Sequence, residues 1–250
     1  MSSATGATEA QRTYGWRPAE VVERVVETPS ASTLELVAHG FPLHRAGQHL
    51  DVRLTAEDGY QAERSYSIAS APEDDRLAIT VVRFDDGELS PWLVDVAGAG
   101  DGFEVRGPIG GWFVWEAALG GPLLLVGGGS GAVPLRSMLR HRAAAGSTVP
   151  TRFILSARSE EDVLYKDDLA PADGLDVFIT LTRSAPANWS GRRGRVDRDM
   201  LRELAFAPDE RPAVFVCGPT AFVESVAENL IALGHDPARV KTERFGPTGG

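Results

Sequence analysis

Between Pro122 and Pro134 an unbroken apolar run, Leu123-Leu124-Leu125-Val126, passes directly into Gly127-Gly128-Gly129-Ser130-Gly131 and then Ala132-Val133-Pro134. This segment constrains the fold more than any other. A buried strand that ends in glycines and leads into a helix is the opening unit of a parallel α/β sheet. Glycines let the backbone turn tightly and approach a phosphate, and the helix start offers unpaired N–H groups to it. Gly127, Gly129 and Ala132 match the spacing G-x-G-x-x-A, with Gly128, Ser130 and Gly131 between them. A dinucleotide site is expected there; the alternative is a purely structural loop.

The rhythm around this loop divides the chain. Before it, short segments with partial alternation and β-branched residues recur at Trp16–Val26, Thr33–Ala38, His49–Leu54, Ser65–Ala69, Leu77–Phe84 and Phe103–Arg106. They predict a closed antiparallel barrel or sandwich. A short helix is predicted from Ser90 through Trp92, Leu93 and Val96, with Ser90 as its cap and Pro91 at its first position. After the loop, strands at Phe153–Ser156, Val177–Leu181, Val214–Val216 and Val240–Phe245 alternate with helices. The predicted helices are Ala132–Ala145, Asp162–Leu169, Arg198–Leu204 and Pro219–Leu233, the last with Phe222, Val226, Leu230 and Leu233 on one face. The expected organisation is a polar, disordered tail over 1–14, a β-barrel domain over 15–116 and an α/β domain over 117–250.

Charge and composition exclude several functions. The formal net charge of −10 argues against general nucleic-acid binding. No apolar run approaches the roughly 20 residues of a membrane helix, and the N-terminus lacks a signal-peptide centre, so a cytoplasmic location without membrane insertion is the default. Cys217 is the only cysteine, which leaves no internal disulfide, multi-cysteine zinc site or cysteine-held iron–sulfur cluster in this chain. The five histidines show no metal-ligand spacing. Residues 1–115 carry 9 basic and 18 acidic side chains, residues 116–250 carry 16 and 17. The acidic first half reads as a solubility device, or as a sign that the second half spends arginines on an anionic ligand.

Those arginines follow successive strands. The second strand of the α/β half ends Ser156-Ala157-Arg158, where an NAD-specific fold usually places an acid. A guanidinium there suits a 2′-phosphate, which it can bind with two hydrogen bonds. Arg183 follows the third strand and Arg192 stands in Ser190-Gly191-Arg192. The three could converge on one phosphate; alternatively they are ordinary surface arginines, Arg158 pairing with Glu160 or Glu161.

In the barrel half, Arg64-Ser65-Tyr66-Ser67-Ile68 lies on a predicted strand, followed in order by Gly87-Glu88-Leu89-Ser90, Gly107-Pro108-Ile109-Gly110, the glycine loop and Cys217-Gly218-Pro219. This ordered set, spanning about Trp16 to Phe245, resembles the ferredoxin–NADP reductase superfamily. The resemblance implies a six-stranded antiparallel Greek-key β-barrel followed by an α/β domain with a parallel sheet. It implies that Arg64 binds flavin phosphate, Tyr66 packs on the flavin ring and Ser67 lies near flavin N5. Gly87, Leu89 and Ser90 would hold the diphosphate. Gly128, Gly129, Ser130 and Gly131, with Cys217, Gly218 and Pro219, would hold the nicotinamide nucleotide, and Arg158, Arg183 and Arg192 its 2′-phosphate. Glu243-Arg244-Phe245 resembles the family's terminal acid–x–aromatic pattern, which sets Glu243 near the transfer site and Phe245 over the flavin, although this chain continues through Gly250. Read without the resemblance, Ser67 is a strand hydroxyl bonded to backbone, Tyr66 and Phe245 are core aromatics, and Cys217 is inert core.

The implied activity is that of a monomeric, FAD-dependent reductase. It oxidises NADPH and passes electrons to a separate acceptor such as a ferredoxin, flavodoxin or oxygenase component. FAD is expected over FMN, and NADPH over NADH. The strongly acidic barrel half favours a neutral or basic acceptor surface. Two other readings are a reductase of free flavin or another small molecule, and a non-catalytic flavin or nucleotide sensor or assembly subunit.

Overall fold

The structure, a computed structural model, describes residues 15–169 and 173–245. The expected tail over 1–14 lies outside the described residues, as does the extension over 246–250. The chain forms two compact units that divide in sequence between Val114 and Trp115.

The first unit contains β1 (Arg17–Thr28), β2 (Ala31–Val37), β3 (His49–Thr55), β4 (Gln61–Ser67), β5 (Leu77–Val82) and β6 (Gly102–Ile109). All pairings are antiparallel, in the order β4-β3-β6-β1-β2-β5. An antiparallel bridge between Ile68 and Ile79 joins the two ends of the sheet, and Ala69 donates to Ala78 O at 2.7 Å. The sheet therefore closes as the expected six-stranded barrel. Alternate strand positions fill it, among them Val21, Leu34, Leu36, Leu50, Val52, Ile79, Val81 and Val105, all essentially inaccessible to solvent.

Two local expectations need correction here. β4 begins at Gln61, four residues before the predicted start, because its first half is polar and exposed except at Ala62, leaving no apolar alternation to read. The helix at Trp92–Val96 is a single wide turn closed by Ala97 N–H onto Trp92 O at 2.9 Å, and Ser90 does not cap it. The Ser90 hydroxyl instead accepts the N–H of Phe84 at 3.0 Å.

The second unit holds β7 (Leu123–Gly128), β8 (Thr151–Ala157), β9 (Leu175–Leu181), β10 (Arg192–Arg193), β11 (Ala213–Pro219) and β12 (Val240–Phe245). Its helices are α1 (Ala132–Ala144), α2 (Arg198–Leu204) and α3 (Thr220–Ala232). The sheet is wholly parallel, in the order β10-β9-β8-β7-β11-β12. From β7 the chain builds outward through β8 and β9 on one side, then returns to add β11 and β12 on the other. The carboxyl ends of β7 and β11 thus flank a topological switch point, where open α/β sheets bind ligands.

α2 is capped by Asp197, whose side chain accepts Met200 N–H at 2.8 Å. α3 buries Val223, Val226 and Leu230 against the sheet, with Phe222 and Leu233 partly buried beside them. The helix predicted over Asp162–Leu169 does not form. Glu160–Asp162 and Lys166–Asp168 are separate single turns, broken by Tyr165 at φ +59°. Val163, Leu164 and Tyr165 are all buried, and three consecutive buried positions do not fit one face of a 3.6-residue helix. Arg136 of α1 fixes the break by lying 4.4 Å over the Tyr165 ring and pairing with Asp168 at 2.5 Å. The two-residue edge strand β10 has no counterpart in the prediction.

Candidate functional site

In the barrel unit, β4 presents Arg64, Tyr66 and Ser67. The guanidinium of Arg64 pairs with Glu88 at 2.8 Å, which ties β4 to the Gly87–Ser90 turn. At Gly87 a Cβ would fall 2.6 Å from Ser90 Oγ and 3.1 Å from Phe84 O, so any larger residue must displace the Ser90 hydroxyl and crowd the turn. Leu89 is buried and its carbonyl accepts Leu93 N–H at 3.0 Å, starting the wide helical turn. Tyr66 packs partly buried against the barrel core, and burial pushes its phenol up to about 12, so it is neutral throughout the physiological range.

Ser67 Oγ is enclosed and has no hydrogen-bond partner among the described residues. An unsatisfied buried hydroxyl costs on the order of 1–3 kcal/mol, which a hydrogen bond to a ligand would offset. Directly opposite Ser67 in the β3–β4 register stands His49, a residue the sequence did not single out. Burial lowers its pKa and keeps the imidazole neutral. Only strand register could have found it, since nothing in its local sequence differs from an ordinary strand position.

In the α/β unit, the glycine loop meets the end of β11 backbone to backbone. A Cβ on Gly131 would lie 2.0 Å from Cys217 O and 2.8 Å from Gly218 N. A Cβ on Gly128 would strike the Phe222 ring at 2.9 Å. Gly129 has φ +54° and lies exposed, with Ser130 half-buried beside it, so the rim of the loop stays open while its base is closely packed. Cys217 is buried; burial, with the charge of Glu243 adding to it, holds its thiol well above the ordinary range and therefore protonated. Cys217 pairs in register with Glu243, and Pro219 with Phe245, which is half-buried at the end of β12. Burial pushes the Glu243 carboxyl up to about 7.

The three expected arginines are not all brought together. Thr182 N–H and Oγ1 both donate to Ala157 O, at 2.9 and 3.1 Å, and Arg183 and Ser184 N–H both donate to Arg158 O, at 2.9 and 3.2 Å. This zips the ends of β8 and β9 and sets Arg158 beside Arg183, both exposed and neither side chain paired among the described residues. Glu160 pairs with Lys166 rather than with Arg158. Arg192 lies lower, inside β10 opposite Thr180, and its guanidinium is held by Glu203 of α2. Arg195 follows in the loop after β10. Gly194 N–H donates to Leu181 O at 2.9 Å and its carbonyl accepts Thr180 Oγ1 at 2.7 Å, which holds the loop that carries exposed Arg195 against the end of β9. The signal that could have found it is the run Gly194-Arg195-Val196 leading to the Asp197 cap.

Two family models cover most of the chain. Residues 32–114 match the oxidoreductase FAD-binding domain and residues 125–228 the oxidoreductase NAD-binding domain. A ferredoxin–NADP reductase B from Sorangium cellulosum is 40% identical over 213 residues, covering 81% of this chain and 86% of that protein. The chain belongs to the ferredoxin–NADP reductase superfamily. A glycine betaine monooxygenase reductase subunit from Pseudomonas aeruginosa is 33% identical, and this chain spans 57% of its length. Among solved structures, the FAD/NAD-binding domain of a nitric oxide dioxygenase from Vibrio cholerae superposes with a TM-score of 0.82 at 26% identity, covering 92% of this chain and 99% of that one.

Membership makes the chain an FAD-dependent NAD(P)H reductase that passes electrons to a separate acceptor, and FAD and NADPH are cofactors of this family. The residues fit those groups. Ser67 offers a buried hydroxyl with no hydrogen-bond partner among the described residues, and the glycine loop offers a rim of accessible backbone. Among the described residues no helix is long and apolar enough to cross a membrane, and no cluster of three or more potential ligands could hold a metal ion.

Proposed function

We propose that this reductase selects NADPH over NADH through Arg158, Arg183 and Arg195, and delivers the electrons to a protein acceptor of an oxygenase or ferredoxin type. The observation that carries the nucleotide preference is the hydrogen-bonded zip between the ends of β8 and β9. It holds the backbones of two exposed arginines, neither paired among the described residues, next to each other where an NAD-binding fold usually carries an acid. The acceptor class rests on the relatives, a ferredoxin–NADP reductase and the reductase subunit of a monooxygenase.

A flavin held by Arg64, Tyr66, Ser67 and the Gly87–Ser90 turn would supply the redox chemistry, hydride acceptance from a reduced nicotinamide and release of electrons to the acceptor. The residue roles are those that the resemblance to the family implies. Arg64 binds flavin phosphate in exchange for part of its contact with Glu88, and Gly87, Leu89 and Ser90 shape the turn that receives the diphosphate. Tyr66 gives the flavin ring an apolar, permanently neutral face. Ser67 donates its free hydroxyl at the reacting edge. Gly128 to Gly131 and Cys217 to Pro219 line the switch point and orient the nicotinamide nucleotide, with Cys217 as an uncharged thiol that excludes water. Glu243, poised near neutrality, can hold a proton beside that thiol, and Phe245 closes the end of β12.

The test is nucleotide-dependent flavin reduction followed by stopped flow without oxygen. Arg158→Ala and Arg183→Ala are each expected to raise the NADPH dissociation constant about tenfold or more, with NADH changed less than about twofold, as for the loss of charge-assisted hydrogen bonds. Arg192→Ala should leave both nearly unchanged. Equal losses for both nucleotides would sink the 2′-phosphate assignment.

A further inference from the structure

Arg192 and Arg193 are the two residues of β10, and the structure gives their guanidiniums different work. Successive side chains of a strand point to opposite faces. Arg192 is held by Glu203 of α2. Arg193 instead donates to two main-chain carbonyls, Ala185 O at 3.3 Å and Pro186 O at 2.8 Å. Neither carbonyl belongs to a strand. Both lie in the loop over 184–191 that follows Arg183 and returns the chain to β10.

That loop is closed at several further points. Trp189 N–H donates to the same Pro186 carbonyl at 3.0 Å, and the Trp189 indole N–H donates to Arg192 O at 3.0 Å. The indole lies against Gly191, where a Cβ would fall 2.7 Å from Trp189 Cζ2 and 2.8 Å from Ile179 O. On the other side of Arg183, its own N–H and that of Ser184 both donate to Arg158 O. The Arg183 backbone is therefore anchored twice, to Arg158 directly and to the Arg193 guanidinium through Ala185 and Pro186. Its side chain stays exposed.

We propose that Arg193 is a positioning residue for nucleotide selection. It clasps the 184–191 loop and fixes the backbone from which Arg183 reaches the 2′-phosphate, without itself touching the nucleotide. The inference rests on the reading of Arg183 as a 2′-phosphate ligand. A binding group next to an unclasped loop must be ordered when the ligand arrives, and that lost freedom is subtracted from the affinity. Hydrogen bonds from a charged guanidinium to two loop carbonyls order the loop beforehand. NADH lacks the 2′-phosphate and gains nothing from the placement of Arg183, so the effect of Arg193 falls on NADPH.

The experiment is a double-mutant cycle on the flavin-loaded full chain, with NADPH and NADH dissociation constants taken from the concentration dependence of flavin reduction without oxygen. Arg193→Met keeps a long apolar stem and loses both donors. It is expected to raise the NADPH constant about fivefold while NADH changes less than about twofold. In the Arg183→Ala background the same substitution should change NADPH by less than about twofold, since a residue that acts only through Arg183 has nothing left to position. A loss of about fivefold in that background as well would mean that Arg193 meets the phosphate itself, and would overturn the proposal. Equal losses for NADPH and NADH in Arg193→Met would also overturn it, because they report a general loosening of the α/β unit. If Arg183→Ala weakens NADPH but Arg193→Met does not, the positioning role is wrong and the 2′-phosphate reading stands. If Arg183→Ala leaves NADPH unchanged, that reading falls and the positioning role falls with it.

Discussion

The two units make their binding sites by opposite means. The barrel unit uses side chains: a guanidinium, a phenol and a hydroxyl on one strand, braced by one carboxylate. The α/β unit uses the absence of side chains: Gly128, Gly131 and Gly218 let two strand ends pack backbone on backbone at the switch point. A side-chain site can lose one group and keep its shape. At Gly131 the α/β site cannot gain one atom without moving a strand end, because the atoms it would strike, in Cys217 and Gly218, are themselves main chain.

The largest expected effect breaks this contrast if it fails. Gly131→Ala puts a methyl group 2.0 Å from Cys217 O, so it should cost roughly 3 kcal/mol or more of stability in urea unfolding, or prevent folding of the α/β unit. Near-native stability together with unaltered NADPH binding would show that the contact between β7 and β11 is not needed.

The next effect sharpens the comparison at the buried acid. The folded-state pKa of Glu243 is raised to about 7 from an ordinary value of 4.5, so between those values the folded state holds a proton that the unfolded state has lost. Its contribution to stability is fully present below about pH 4.5 and declines as pH rises through 7, by roughly 3 kcal/mol in all. Glu243→Gln should remove that decline. Melting temperatures of the two proteins from pH 5 to 8 should diverge as pH rises, with the variant the more stable at pH 8; parallel curves would place the acid in contact with water.

The smallest effect concerns the barrel site. Ser67→Ala removes a buried hydroxyl that lacks a protein partner, so the flavin-free protein should gain up to about 1 kcal/mol, while flavin reduction by NADPH slows. Denaturation of the stripped protein and stopped-flow reduction of the loaded one check the two halves. A loss of stability in the stripped protein would mean that the hydroxyl has a structural bond after all.

The fold was largely legible, since its evidence is local. The change from β rhythm to strand–helix alternation, the glycine loop and the helix at Arg198–Leu204 with its Asp197 cap all follow from neighbours within a few residues. The same local reading failed at Val163–Tyr165, where three adjacent apolar residues suit a helix by composition but are buried together around a left-handed tyrosine under Arg136. It also assigned the Ser90 hydroxyl to a cap, whereas distant Phe84 claims it.

By itself the sequence determined the family and the two-part architecture and offered candidate residues for both sites, because strand alternation, helical period and glycine turns are short-range properties. Only the tertiary structure decided which groups work together. Strand register set His49 opposite Ser67, the zip between β8 and β9 set Arg158 beside Arg183, and Glu203 of α2 took the guanidinium of Arg192. Each of these depends on which of several nearby partners lies within about 3 Å. That choice is made by packing between segments far apart in the chain, and no local pattern encodes it.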